Sequence, residues 1–242
     1  MVSIYSQLYW RIGFQTRLYD LLAPEAYLKS MQRLVECIPA SANSIWLDVG
    51  CGSGLIIKYL GPRIQQGTYI GLDLLLDGLL SARIKARDEG ISNKVYLVQS
   101  NLSQTIPIHS NSVDIIIAHF SLYTVDPEKR ESIFREFRRL LRKGGTLAVV
   151  EPSQEYSAAR IIKESIDLVL LYDGAIMAWI KKWFFYPLTY QLGLKFIERQ
   201  LRRGVWLALK SDDLCTEINS SGYKVKHVEH VYADSAVLVI AN

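Results

Sequence analysis

The chain has 242 residues, 50% of them apolar and 21% charged, a composition from which a packed globular core is expected rather than disorder. Its 28 basic and 24 acidic residues leave a formal charge of only +4, spread along the sequence, which gives no footprint for nucleic acid. Three cysteines, Cys37, Cys51 and Cys215, are widely spaced with no CxxC pair. No disulfide framework or zinc site is therefore legible, and a reducing, cytoplasmic setting is expected.

The first residues, MVSIYSQLYWRIGF, lack a basic region followed by an apolar one and a small-residue cleavage site, so they are expected to belong to the mature chain. Apolar positions at Leu18, Leu21, Leu22, Leu28, Met31, Leu34 and Val35 recur at helical spacing and predict a helix over about 16–38. From residue 45 the pattern changes to short apolar runs alternating with longer amphipathic ones. The runs are Ile45–Val49, Tyr69–Leu72, Val95–Val98, Val113–Ala118 and Thr146–Val150, short and rich in β-branched residues as buried parallel strands are. Helices are predicted near 54–64, 75–89 and 127–142, the last closed by Lys143-Gly144-Gly145. Repeated β-then-α units imply an α/β fold with a doubly wound sheet.

After Pro152 the alternation stops for roughly sixty residues of helical periodicity. This stretch is aromatic, with Tyr156, Tyr172, Trp179, Trp183, Phe184, Phe185, Tyr186, Tyr190, Phe196 and Trp206. Its most apolar part, Ile166–Ile180, is too short to span a bilayer and contains Asp167 and Asp173, so a soluble protein is expected. Ser211-Asp212-Asp213-Leu214 then predicts a capped helix ended by Ser221-Gly222, followed by strands near 224–231 and 236–241.

The most informative stretch is Asp48-Val49-Gly50-Cys51-Gly52-Ser53-Gly54-Leu55, a strand end that enters a glycine-rich turn. Leu55 stands where a dinucleotide fingerprint needs its third glycine, and no GxxxxGK[ST] is present. Asp48, two residues ahead of the turn, would repel a pyrophosphate by about 1 kcal/mol or more even under strong screening. It would attract a ligand carrying an ammonium and a sulfonium, and S-adenosylmethionine is such a ligand. Asp73 ends the next strand about twenty residues on, where an acidic side chain can accept two hydrogen bonds from a ribose diol. Read alone, Asp73 could equally be a helix cap.

These motifs resemble the class I S-adenosylmethionine-dependent methyltransferases, in the small-molecule branch that includes the ubiquinone/menaquinone-type enzymes. Gly71-Leu72-Asp73, Ser112-Val113-Asp114-Ile115-Ile116, and the run from Phe134 through Arg139 to Gly144-Gly145 extend the likeness over about 20–152 and 205–242. The resemblance implies a Rossmann-like seven-stranded sheet in a single domain. Within it, 1–40 would form an N-terminal helical lid, 41–152 the cofactor-binding core, 153–210 a helical cap insertion, and 211–242 the final helix and strand pair. It also implies that Gly50, Gly52 and Gly54 line the methionine portion, that Asp73 holds the ribose, and that Leu74 packs on the adenine; Asp48 and Cys51 are further cofactor-binding candidates. Ser100-Asn101 stands where the family usually has Gly-Asp. Asn101, with Leu102 beside it, can still meet the adenine amino group without charge.

Ligands of open α/β sheets bind at the carboxyl ends of the strands, which puts the acceptor near His119, Phe120, Tyr123 and Glu151. His119 is the first candidate for a base or orienting group, with Tyr123 and Glu151 next, and it also adjoins the methionine carboxylate. Near the N-terminus, Tyr5, Tyr9, Trp10 and Tyr19 form either an aromatic lid or a helix packing face, with Tyr9 the candidate substrate contact. The aromatic insertion, with Trp179 and Trp183, suits a hydrophobic or planar acceptor methylated on N, O or C, as in natural-product metabolism. No acidic cluster suggests a metal, and no basic module suggests nucleic acid. The alternatives are C-methylation of a quinone at a membrane, reached through Lys181-Lys182-Trp183-Phe184-Phe185, and a non-catalytic cofactor-binding homologue.

Overall fold

The computed structural model of the protein describes residues 18–39, 41 and 43–242. Seven strands form one sheet: β1 (Ile45–Val49), β2 (Thr68–Asp73), β3 (Val95–Gln99), β4 (Val113–His119), β5 (Leu141–Pro152), β6 (Val225–Val231) and β7 (Ala236–Ala241). Their order is β3-β2-β1-β4-β5-β7-β6. The first five are parallel, and β7 inserts antiparallel between β5 and β6. The chain winds outward from β1 in both directions, so β1 and β4 flank the switch point where a crevice must open.

Strand alternation sends Trp46 to one apolar layer and Leu47 to the other. The first layer is covered by α2 (Glu25–Cys37), α3 (Ile57–Ile64), α4 (Leu76–Asp88) and α6 (Ala158–Tyr172), and contains Leu34, Leu60, Ala82 and Ile161. The second is covered by α5 (Pro127–Leu140) and α10 (Ser211–Ser220), through Phe134, Phe137, Leu214 and Ile218. With both faces packed, β7 is buried along its whole length, which is why its sequence is continuously apolar. The edge strand β6 instead alternates partly buried with exposed residues.

Three local expectations change. The helix expected over 16–38 is two pieces, α1 (Leu18–Leu21) and α2, because Pro24 holds extended angles at the start of α2. Helix α5 stops at Leu140, and the backbone is extended from Leu141, so Gly144 does not end a helix. It sits instead where the β4–β5 register shifts between Val113 and Ile115. Ser211 does not cap α10; its hydroxyl pairs with His230 Nε2 at 2.9 Å.

The segment between α6 and α10 folds as α7 (Ala175–Ile180), a π-helical turn Lys181–Phe185, α8 (Tyr186–Leu188), a second π-helical turn Thr189–Leu194, and α9 (Lys195–Arg202). Such widened turns are rare in ordinary helices and concentrate at functional positions. Thr189 donates to Leu22 O at 3.0 Å, and Lys181 and Tyr186 both bind Glu25, tying this cap to the N-terminal segment. No described helix is long and apolar enough to cross a membrane.

Candidate active site

The glycine turn after β1 is fixed by backbone bonds: Gly50 N and Cys51 N both donate to Leu72 O, at 2.8 and 2.9 Å. Gly50 has φ +73°, and a Cβ there would lie 2.5 Å from the Ser121 side chain, so only glycine lets the turn meet the loop after β4. Asp73 then braces the turn. One carboxylate oxygen accepts from Gly52 N and the other from Leu75 N, each at 2.8 Å. Each oxygen keeps a second lone pair, so the same side chain that shapes the turn can still accept from a diol.

Asp48 is buried beneath the turn and accepts a 2.6 Å hydrogen bond from Tyr69. Burial raises its carboxyl to about 7, opposed by the Tyr69 bond and aided by the nearby Asp73 charge. Among the described residues no cation lies within ion-pair distance of it. A buried carboxylate without an internal counter-ion fits a cationic ligand.

The structure brings the sequence candidates Asp48, Gly50, Cys51, Gly52, Asp73, Leu74, Asn101, Leu102, His119, Phe120 and Tyr123 to the lining of one cleft at this turn, about 170 Å³. Gly54 is the exception. A Cβ there would sit 2.7 Å from Ala82, so this glycine lets α4 pack on the turn and does not line the cleft. Asn101 directs its side-chain oxygen to Ser103 N at 2.9 Å, closing a local turn that leaves one lone pair for an outside donor. The burial that encloses the Cys51 thiol raises its pKa well above the usual range. Over the turn, Asp20 of α1 receives the Ser53 hydroxyl and the Lys85 ammonium, clasping the N-terminal segment to the cleft.

At the end of β4, His119 is buried, and burial lowers its imidazolium pKa to about 3. Ser30 donates its hydroxyl to Tyr27 O at 2.7 Å, so in its 2.9 Å contact with His119 Nε2 the serine must accept. The proton thus sits on Nε2, and Nδ1 keeps a lone pair that has no partner among the described residues. The next residue, Phe120, adopts φ +51°, a strained conformation for an aromatic side chain of the kind found at functional positions.

The expectation that Glu151 acts on the acceptor is revised. It lines neither cavity described here. Its Oε1 accepts from Ser121 N and Leu122 N at 3.1 and 2.9 Å, and Oε2 lies 3.8 Å from Arg130, itself doubly bonded to Glu217. Burial raises Glu151 to about 7 despite the Arg130 charge. This buried network holds the loop that the glycine turn packs against.

A second cavity, about 510 Å³, adjoins the cleft and shares Tyr19, Tyr27, Phe120 and Tyr123 with it. Its volume falls within the roughly 300–1,000 Å³ range of small-molecule sites. The far wall comes from the cap, including Leu192, Leu194, Phe196 and Ile197. Phe120 meets Tyr232 edge-to-face at 5.3 Å, and Tyr232 in turn meets Tyr27 and Tyr156 at 5.9 and 6.2 Å. Tyr123 is fixed against Trp206 at 5.2 Å.

Tyr27, Ser30 and Tyr232 escaped the sequence reading. The first two belong to the helix predicted there, where i and i+3 share a face, but nothing local shows which cavity that face meets. Tyr232 opens three consecutive residues at φ between 53° and 59° in the β6–β7 turn, a strained conformation that sequence periodicity does not reveal. The expected contacts from Trp179 and Trp183 are overturned: neither lines the cavity, and they are 58% and 60% exposed. Ala178 and Tyr186 take the inward positions of the cap, against Val169, so their helical neighbours face out. Tyr5, Tyr9 and Trp10 lie outside the described residues. Away from the cleft, Cys37, His227 and Glu229 come within ligand distance of one another, a grouping invisible in their spacing, but Arg33 already holds Glu229 bidentately.

The strand order, with its antiparallel β7, is that of the Rossmann-like S-adenosylmethionine-dependent methyltransferase fold, and S-adenosylmethionine is the cofactor that this fold implies. The family comparison agrees with that fold: residues 47–149 match the family described as methyltransferase domain. The chain is 32% identical over 127 residues to the methyltransferase GfsG of Streptomyces halstedii, covering 52% of this chain and 44% of that one. It is 33% identical over 121 residues to the ubiquinone/menaquinone biosynthesis C-methyltransferase UbiE of Yersinia pestis, covering 50% and 47%. The chain thus spans about half the length of the curated relatives it matches. A solved S-adenosylmethionine-dependent methyltransferase from Aquifex aeolicus superposes with a TM-score of 0.59 at 17% identity, over 91% of this chain and 90% of that one, a likeness of fold.

Proposed function

We propose that the protein transfers a methyl group from S-adenosylmethionine to an N, O or C atom of a hydrophobic, planar small molecule of secondary metabolism. The observation that carries this reading is the shared aromatic wall. A polar cleft with an uncompensated carboxylate and an apolar cavity meet at Tyr27, Phe120 and Tyr123. When bound, the cofactor supplies a methyl group already made electrophilic by its sulfonium. Asp48 supplies the negative charge that a cationic donor needs, and Asp73 accepts from the ribose hydroxyls. Phe120, Tyr27 and Tyr232 orient a flat acceptor and exclude water, so that the reaction gains chiefly from alignment.

Burial keeps His119 neutral in the working pH range, and it lines the donor cleft and not the acceptor cavity, so its part is to hold the wall at the end of β4 through Ser30. The likeness to a ubiquinone/menaquinone biosynthesis C-methyltransferase favours a second reading within the same cavity, a ring carbon of a hydroquinone. The test is a screen with methyl-labelled cofactor against phenols, indoles and hydroquinones, with mass spectrometry locating the label. Transfer to at least one class is expected. If no class is labelled and S-adenosylhomocysteine fails to raise the melting temperature, the reading is wrong.

A further inference from the structure

The outer face of the cap is apolar where a water-facing surface has no reason to be. Ile176, Trp179, Trp183 and Phe184 follow at i, i+3, i+7 and i+8, one stripe along α7 and the π-helical turn after it. Ile176 is 80% exposed, Trp179 and Phe184 meet edge-to-face at 6.0 Å, and Leu188 continues the stripe. Exposed apolar residues are ordinary when scattered; a contiguous group of this size marks a contact surface.

Its charge identifies the partner. Residues 170–205 carry six Lys or Arg against two Asp or Glu, a segment charge of +4 that equals the formal charge of the whole chain. Lys181 is neutralised by Glu25. Lys182 stands over the Trp183 ring at 5.7 Å and Lys195 over Tyr190 at 5.6 Å, neither with a carboxylate partner among the described residues. Tryptophan and phenylalanine beside unpaired cations is the composition that sits at a lipid headgroup boundary, with the rings at the acyl edge and the ammonium groups on phosphate. The stripe also reaches the site. Leu192, 55% exposed, belongs to the second π-helical turn and lines the apolar cavity, as does the exposed Arg199.

We propose that this face docks on an anionic membrane surface and that the acceptor cavity opens toward it, so that a lipid-dissolved acceptor reaches Phe120 without crossing water. The proposal deepens the preceding reading and rests on it for the role of the cavity, but docking is measured without turnover.

The full chain is floated with vesicles of phosphatidylcholine alone and of phosphatidylcholine with phosphatidylglycerol in equal parts. Partition onto the anionic vesicles is expected to exceed that onto the neutral ones by roughly fivefold for each unpaired cation at the surface, and to weaken as salt is raised. A W183S/F184S variant should lose about tenfold or more of vesicle binding while keeping the parent melting temperature and S-adenosylhomocysteine affinity, since these side chains touch neither cavity. K182E should lose anionic preference alone. Absence of flotation with either vesicle, or equal partition onto both, overturns the proposal. So does a parent chain that sediments as a dimer while W183S/F184S is monomeric, because the face then belongs to a second copy.

Discussion

The two walls of the candidate site are built by different means. On the glycine-turn side the buried and half-buried polar groups are held: Asp48 by Tyr69, Asp73 by Gly52 and Leu75, Glu151 by Ser121 and Leu122, and Arg130 by Glu217. On the cap side the surface toward the cavity is mainly aliphatic and aromatic, through Leu192, Leu194, Phe196 and Ile197, and is shaped by two π-helical turns. The first wall is complementary to one charge pattern at fixed positions. The second is complementary to a size and a polarity. Directed groups discriminate strongly, whereas an apolar pocket rejects a near-isostere only weakly. The donor is therefore written into this chain in detail and the acceptor only in outline.

Removing the directed groups should break the first wall alone. For Asp48→Ala with Asp73→Ala, each lost interaction with a charged group is worth roughly 1.5–3 kcal/mol, so donor affinity by calorimetry should fall on the order of a thousandfold. Binding of an apolar fluorophore in the adjoining cavity should persist. Loss of both would mean that the two walls are one structure. Next in size is Glu151→Ala, which strands the N–H groups of Ser121 and Leu122 and leaves Arg130 with Glu217 as its one carboxylate partner among the described residues. Breaking a buried, bonded charge network of this kind should cost about 3 kcal/mol in denaturant unfolding. Glu151→Gln, which keeps an acceptor oxygen for those N–H groups, should recover part of that.

The same contrast governs what could be read from sequence. Strand β1 is found at the expected bounds because a β-branched run bounded by turn residues has one reading, and the cleft residues follow because Asp48 and Asp73 sit at fixed offsets from the glycines. Cap residues carried no such offsets. Trp179 and Trp183 looked like cavity residues because aromatic content shows that a surface is apolar but not which way it faces, and only the inward packing of Ala178 and Tyr186 decides that. Glu151 was a candidate, after His119, because ligands of open α/β sheets bind at the carboxyl ends of the strands. Its actual role depends on Arg130 and Glu217, contributed by distant helices. Gly144 was misread because a glycine after a basic helix end has two structural uses, and long-range register selects between them.

The smallest effect sharpens the comparison most, because it isolates a single charge. Asp48 ionises near 7 where an unfolded aspartate ionises near 3.8, so below about pH 7 the empty cleft holds a proton that a cationic ligand must displace. Donor affinity should therefore be flat above about pH 7.5 and fall by up to about tenfold per pH unit below 7, the limit set by one linked proton. His119 cannot produce this slope, since burial keeps it neutral down to about 3. Glu151 also titrates near 7, but it lies behind the loop and outside the cleft. The control is Asp48→Asn, which keeps an acceptor for Tyr69 but has no proton to release: its affinity should be weak and pH-independent. A slope that survives in Asp48→Asn would move the linked proton to Glu151, and the loop after β4 would then be part of the donor site rather than its support.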